Sequence, residues 1–405
     1  MEPSTALGAR IRAFRERAGL KGQELAALIE LDPSAVSNIE RGKRSVKTDE
    51  LGRIAEALNV SPLALLDDMS LPARMPIAPR GNDGANAAGT VYKRLLGLAE
   101  LHTVLDQAGY GTHPRLKEAP AEGEDWLVSA TRLADWVSER LNDEGRADDR
   151  FSALARAIEN NLGVDVLVEA HPEDALAGAA ITDEAFPLIF VNASQPTPRA
   201  LFTLAHELAH VLTGHGETIT LDRDLSAHSP SERFANAFAA TLLMPEVEIR
   251  RAIDRYGRGA ESLARMLQLF GVSFESLVYR LHNTRRIDAR GRDNLRSLGL
   301  RGLIRELDRP EHKTSLDPQL QKSLIAQLGG RPERRPPGWL LDRAVKGYRD
   351  GTIGIRPLAG LLDADPDELL HRLHTSSDDS GLILADYTPV GSGPSDEELF
   401  EESPF

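Results

Sequence analysis

Between residues 70 and 89 the chain reads SLPARMPIAPRGNDGANAAG, and there apolar periodicity stops. A stretch this rich in Pro, Gly, Ala and Asn carries neither a helix nor a strand across itself, so the segments on either side must close separate cores. That break divides the 405 residues into a short N-terminal part and a long remainder, and with 41% hydrophobic residues there is material for two or three compact domains. The expected organisation is an all-α domain at 1–69, a flexible linker at 70–90, an α+β domain with leading helices at 91–285, an all-α region at 286–375 and an acidic disordered tail at 376–405.

Within the remainder, helical patterns in VYKRLLGLAELHTVL, WLVSATRLADWVSERL and RFSALARAIENNLG precede three short apolar runs, VDVLVE (164–169), AGAAIT (177–182) and PLIFVN (187–192). Turn-forming residues separate these runs, which predicts a small sheet. From 197 onward the pattern is helical again. A corner recurs in ALIELDPSAV, EALNVSPLAL, QLFGVSFESL and GLLDADPDEL: a helix end, a tight turn, a Ser or Asp cap and a new helix. Reuse of a good corner explains it without any duplicated function. No cysteine is present, so a disulfide framework is excluded and any metal must rest on His and carboxylates. No apolar run is long enough to cross a bilayer and the start lacks a signal-peptide pattern, so a cytoplasmic location is expected.

Net charge is −14, which argues against coating nucleic acid along the whole surface. Residues 1–66 are the exception, with 10 basic and 9 acidic residues against a net −15 in the rest. In that segment QELAALIELDPSAVSNIERGKR predicts a helix over 23–29, a turn at Glu30, Leu31 and Asp32, and a second helix capped by Asp32 with Pro33 first. Leu25, Ala26, Ile29, Val36 and Ile39 have the spacing of a shared core. Ser34, Ala35, Ser37, Asn38 and Arg41 are left on the outward face, where Asn suits adenine and Arg suits guanine or phosphate in a major groove. Gln23, Lys43 and Arg44 flank that face and suit backbone phosphates. From LGARIRAFRERAGLKGQELA through SNIERGKRSVKTDELGRIAEALNVSPLALL the segment resembles the XRE (Cro/repressor-like) helix-turn-helix family, with five helices expected; it departs from that pattern at Gly22, where a hydroxyl residue is usual. The resemblance implies a double-stranded DNA operator as partner. One such unit of net charge +1 holds DNA weakly, so a homodimer is expected.

Thr197 followed by Pro198 reads as an N-cap and first-turn pair, opening a helix that runs to about Leu212 and stops at Gly214. Leu201, Ala205, Leu208 and Leu212 recur as its buried stripe. His206 and His210 stack on another face, one turn apart, close enough to converge on one ion. Glu207 is rotated by about 100° from His206, which suits a general base better than a ligand. A third ligand must come from elsewhere, and His215, Asp222, Asp224, His228 and Glu232 are the candidates. Glu232 also has a purely structural reading, since Ser229, Pro230, Ser231 and Glu232 spell a capping box.

FTLAHELAHVLTGH followed by ERFANAFAATLLMP resembles the ImmA/IrrE family of metallopeptidases, and the resemblance runs from about 125 to 285. It implies a zincin-like peptidase domain, zinc or alternatively manganese as cofactor, Glu232 as third ligand beside His206 and His210, and a protein substrate such as a DNA-binding repressor in a stress or mobile-element response. LIFVN is the stretch expected to hold an extended substrate by strand addition. The whole reads as a bacterial transcription regulator carrying a metal-dependent endopeptidase. The alternative from another class is a non-proteolytic regulator whose metal site is structural or sensory.

Overall fold

The computed structural model describes residues 3–67, 70–75, 87–110, 119–120, 123, 125–141, 150–172, 176–214, 219–222, 229–308 and 318–375. The expected tail, and 76–86 within the expected linker, lie outside the described residues.

Five helices fill the N-terminal segment: α1 (Pro3–Arg17), α2 (Gly22–Leu28), α3 (Pro33–Glu40), α4 (Thr48–Leu58) and α5 (Pro62–Leu66). Leu25, Ala26, Ile29, Val36 and Ile39 are buried together, with Ile11, Phe14, Ile54, Leu58 and Leu65 closing the same core. At the start of α2 the Glu24 carboxylate accepts from the Lys21 amide at 2.7 Å, so the helix is capped without a hydroxyl at Gly22. Asp32 stands at the N-cap of α3, but its side chain makes no cap hydrogen bond; Pro33, which fixes φ, opens the helix. Glu30 turns the corner at φ 55. A Cβ at Gly8 would stand 2.2 Å from the Ile39 carbonyl oxygen, so α1 lies directly on the end of α3 only because that side chain is absent. Arg15 then clamps the pair, donating to Glu40 at 2.6 and 3.1 Å.

The recurrent corner has one geometry. Glu30, Asn59, Gly271 and Asp363 each take a left-handed φ, and a helix begins three residues after each. Its appearance in four places fits reuse of a stable turn.

The first residues of the expected linker form a turn of helix, α6 (Leu71–Arg74), with Leu71 and Ala73 buried; α7 (Ala87–Gln107) starts within its last residues. Then come α8 (Trp126–Arg140), α9 (Arg150–Ala157) and one π-helical turn, Ile158–Leu162. The sheet has four strands rather than three: β1 (Asp165–Glu169), β2 (Gly178–Ile181), β3 (Leu188–Asn192) and β4 (Ile219–Asp222), in the order β1-β3-β2-β4. β1 and β3 are parallel, and β2 runs antiparallel to both β3 and β4. β3 is therefore paired along both edges and has none left for a substrate, contrary to the expectation for LIFVN. Among the described residues the open edge belongs to β4, because Arg335 makes an antiparallel bridge onto Val168 at the other end of the sheet.

Strand alternation sends Val166, Val168, Ala180, Ile189 and Val191 into one core with Leu201, Leu204 and Leu208 of α10 (Thr197–Thr213) and Phe234 and Phe238 of α11 (Pro230–Leu243). α12 (Glu246–Tyr256), α13 (Ala260–Phe270) and α14 (Phe274–Asn283) follow. Packing does not break at 285, where a domain boundary was expected. Leu303 and Leu307 of α15 (Ala289–Leu307, kinked at Gly299) and Leu320 and Leu324 of α16 (Pro318–Gly329) belong to the same core. The compact unit holding the sheet continues to Trp339.

Among the described residues, the second compact unit comprises 104–110 and 340–375. Its described helices are α17 (Gly338–Arg349), which starts just before the division, α18 (Ile355–Leu362) and α19 (Pro366–Thr375). Leu340, Leu341, Ala344, Leu358 and Leu362 are buried, and the Tyr110 hydroxyl meets Asp350 and Thr352 at 3.0 and 2.7 Å.

Candidate metal centre and nucleic-acid interface

α10 begins one residue earlier than its sequence signals. Pro196 holds the N-cap position, and Thr197, expected there, is the first helical residue, its amide donating to the Gly330 carbonyl at 2.9 Å. Gly214 ends the helix at φ 60. Because the sheet, α11 and α9 all pack against it, the histidine face is buried as well as the leucine stripe: His206 and Glu207 are 0% exposed and His210 is 3%.

On that face the two imidazoles converge, with His206 Nε2 and His210 Nε2 3.1 Å apart. Glu232, in the first turn of α11, lies with Oε2 3.1 Å from His206 Nε2 and Oε1 3.4 Å from His210 Nε2. The capping box is only half made. Ser229 Oγ accepts from the Glu232 amide at 3.2 Å, while the Glu232 carboxylate reaches both histidines. Burial alone would raise the pKa of Glu232, but hydrogen bonds and charge from His206 and His210 outweigh it and hold the group at about 2. The three donors fit a divalent ion: ligand arms of about 2.0–2.2 Å in tetrahedral array require donor atoms roughly 3.3–3.6 Å apart, close to the separations found.

Asn236, one turn after Glu232, supplies something the sequence did not reveal. Its Oδ1 lies 3.1 Å from His206 Nδ1. As a carbonyl oxygen it can only accept, which puts the imidazole proton on Nδ1 and leaves the Nε2 lone pair facing the cluster. The legible signal was spacing, since Glu232 and Asn236 share a helix face. Of the remaining candidate ligands, Asp222 lies in β4, and His215, Asp224 and His228 fall outside the described residues.

The outward face of α3 carries Ser34 and, just past its end, Arg41, both exposed, with Ser37 and Asn38 half-buried; Gln23 on α2 and Lys43 in the following turn are exposed. Arg44 Nη2 donates to Glu50 at 2.6 Å, and Glu50 is 4% exposed, so the half-buried guanidinium ties the turn after α3 to α4.

Residues 6–69 match the family model of a helix-turn-helix domain, and residues 159–282 match that of an IrrE N-terminal-like domain. The chain joins these two domains. The radiation response metalloprotease IrrE of Deinococcus radiodurans is 31% identical over 99 residues, which is 23% of this chain and 30% of that protein. This chain thus spans under a third of that relative's length. The apo form of the competence regulator ComR from Streptococcus vestibularis aligns over 81% of this chain and 98% of its own at 13% identity and a TM-score of 0.16, a superposition that supports no shared architecture.

The IrrE N-terminal-like domain contains His206, His210, Glu232 and Asn236, and the Peptidase_M78 family to which it corresponds implies a divalent metal. Its matched region starts at Glu159 and stops at His282, so α15 and α16, which complete its core here, are additions beyond the family match. Glu159 is nearly buried. It accepts from the Val166 and Gly338 amides at 3.0 Å each and from Arg335, while the Trp339 indole donates to its carbonyl at 2.9 Å. Burial pushes its carboxyl up to about 7; Asp165 adds to the rise, and Arg335 and the two amides oppose it.

Proposed function

We propose that this chain is a bacterial DNA-binding transcription regulator that carries a zincin-like, metal-dependent endopeptidase. The observation that carries the proposal is the convergence of His206 Nε2, His210 Nε2 and the Glu232 carboxylate inside the IrrE N-terminal-like domain. Those three residues are the ligands, and two imidazoles with one carboxylate suit zinc, with manganese as the alternative. When bound, the ion supplies Lewis acidity, which acidifies water toward a pKa of ~7 and polarises a peptide carbonyl. Glu207 takes the proton of the attacking water and delivers it to the leaving amine as the C–N bond breaks. Asn236 holds the His206 imidazole in the orientation that presents its Nε2. An extended substrate adds along β4, whose outer edge bears no strand among the described residues.

The helix-turn-helix domain supports operator binding through Gln23, Ser34, Ser37, Asn38, Arg41 and Lys43, as a homodimer on half-sites about 34 Å apart, in the cytoplasm. The radiation response named for the IrrE relative motivates a stress-response setting with a repressor as the protein cut. Near-complete burial of the two histidines favours a second reading, in which the metal is structural or sensory and nothing is cleaved.

One experiment separates them. The full chain, loaded with zinc, is mixed with a co-encoded repressor with and without chelator, beside the Glu207→Gln variant. The peptidase reading expects about one metal per chain in both proteins, cleavage that chelator stops, and a loss of about 10²-fold or more in the variant. Cleavage at parental rate by Glu207→Gln removes Glu207 from the reaction. A parent that holds metal and cuts nothing leaves the structural or sensory reading.

A further inference from the structure

Gly178 is the first residue of β2, held by β3 through Val191 on one edge and by β4 through Asp222 on the other. Glycine weakens a strand interior, and its φ here is outside the left-handed region, so the backbone does not call for it. What calls for it is α10. A Cβ at this position would lie 2.5 Å from Thr203 Cγ2, 2.7 Å from Glu207 Oε1 and 3.0 Å from Glu207 Cγ. Thr203 and Glu207 are one helical turn apart, both 0% exposed, so they form one wall of a slot whose opposite wall is bare backbone. Neither wall has freedom to retreat. The strand is paired on both sides, and α10 is packed into the core along its length.

We infer that Gly178 is a positioning residue for the Glu207 carboxylate: the missing side chain is the space in which that carboxylate lies. This rests on the peptidase reading for its consequence in turnover, though not for the slot itself. An added Cβ meets Glu207 at Cγ as well as at the carboxylate, so the acid must rotate about its inner bonds and its oxygens leave their place. The three atoms nearest an added Cβ belong to Thr203 and Glu207, none to His206, His210 or Glu232, so metal content is expected to stay at the parental level. Loss of turnover therefore separates from loss of metal.

The test uses the zinc-loaded full chain in a Thr203→Ser background, which deletes the methyl nearest the added Cβ and leaves Glu207 as the group met. Gly178→Ala is made in that background with Glu207 intact and again with Glu207→Ala, and melting temperature, zinc content and hydrolysis of fluorescent casein are measured. If Glu207 fills the slot, the melting temperature lost on adding Cβ falls by half or more once Glu207 is truncated, and zinc stays at parental content. An equal loss in both backgrounds overturns the proposal, because the clash then belongs to the strand. Where the parent hydrolyses casein, Gly178→Ala lowers kcat at least tenfold at unchanged KM; parental kcat overturns the positioning role. A parent that hydrolyses neither casein nor the co-encoded repressor counts against the peptidase reading, and the stability comparison still decides the slot.

Discussion

Asn236 sets which nitrogen of His206 faces His210 and Glu232, and its loss should be felt there before anywhere else. Asn236→Leu is expected to lower zinc affinity roughly 10- to 100-fold with little loss of fold, as for other groups that orient ligating histidines; competition against a chelator of known affinity measures it, and unchanged affinity would dismiss the role. Glu159 makes a second, separate prediction. Its folded pKa, about 7, lies above the usual carboxylate value, so protonated Glu159 suits the fold, and its contribution is complete below about pH 4.5 and lost as pH rises through 7. Melting curves of the parent minus those of Glu159→Gln should decline across that window by on the order of 1–3 kcal/mol; a flat difference contradicts it. These residues also mark what sequence reveals. Two histidines four apart with a glutamate between them are local, and spacing alone found them. Whether Glu232 caps or converges depended on where another helix lies, and the residues around Glu159 come from positions 166, 335 and 338, too distant for any periodic pattern to bring together.

For elements, the helix-turn-helix was legible almost residue by residue because its corner, core and outward face all repeat at helical spacing. The Arg44–Glu50 pair was not, since a flanking arginine looks equally suited to a phosphate or to an internal acid, and its partner is set by where α4 lies. The consequence is testable in one set of variants. Lys43→Ala should weaken all DNA sites alike and reduce the salt slope by about 1 without changing the melting temperature, whereas Arg44→Ala should lower the melting temperature and leave the slope nearly unchanged. Asn38→Ala should instead relax base preference at one position by about 1–3 kcal/mol. Filter or anisotropy titrations over two operators and a salt series read all three; an Arg44→Ala slope change as large as that of Lys43→Ala would return Arg44 to the phosphates. β4 escaped notice because ITLD offers four residues flanked by charge, too short for alternation to stand out from the helical pattern around it.

Across the molecule, the core runs on past the boundary expected at 285, because the criterion was local: a Pro- and Gly-broken helical run reads as a separate domain whether or not its leucines reach an existing core. Here they do. A chain ending at 285 removes Leu303, Leu307, Leu320 and Leu324 from that core together with the Arg335 partner of Glu159, and should melt roughly 10 °C or more below the parent; a chain ending at 375 should melt with it. Differential scanning calorimetry distinguishes these, and equal melting at 285 would restore the expected boundary. Arg335 also pairs onto one side of the sheet by its bridge to Val168, and among the described residues β4 is the side on which growth is open. A strand edge accepts only backbone whose amides and carbonyls are not already engaged. Anything held along β4 must therefore arrive with a locally melted run, so the opening free energy of the partner, more than its side chains, sets how often it is captured.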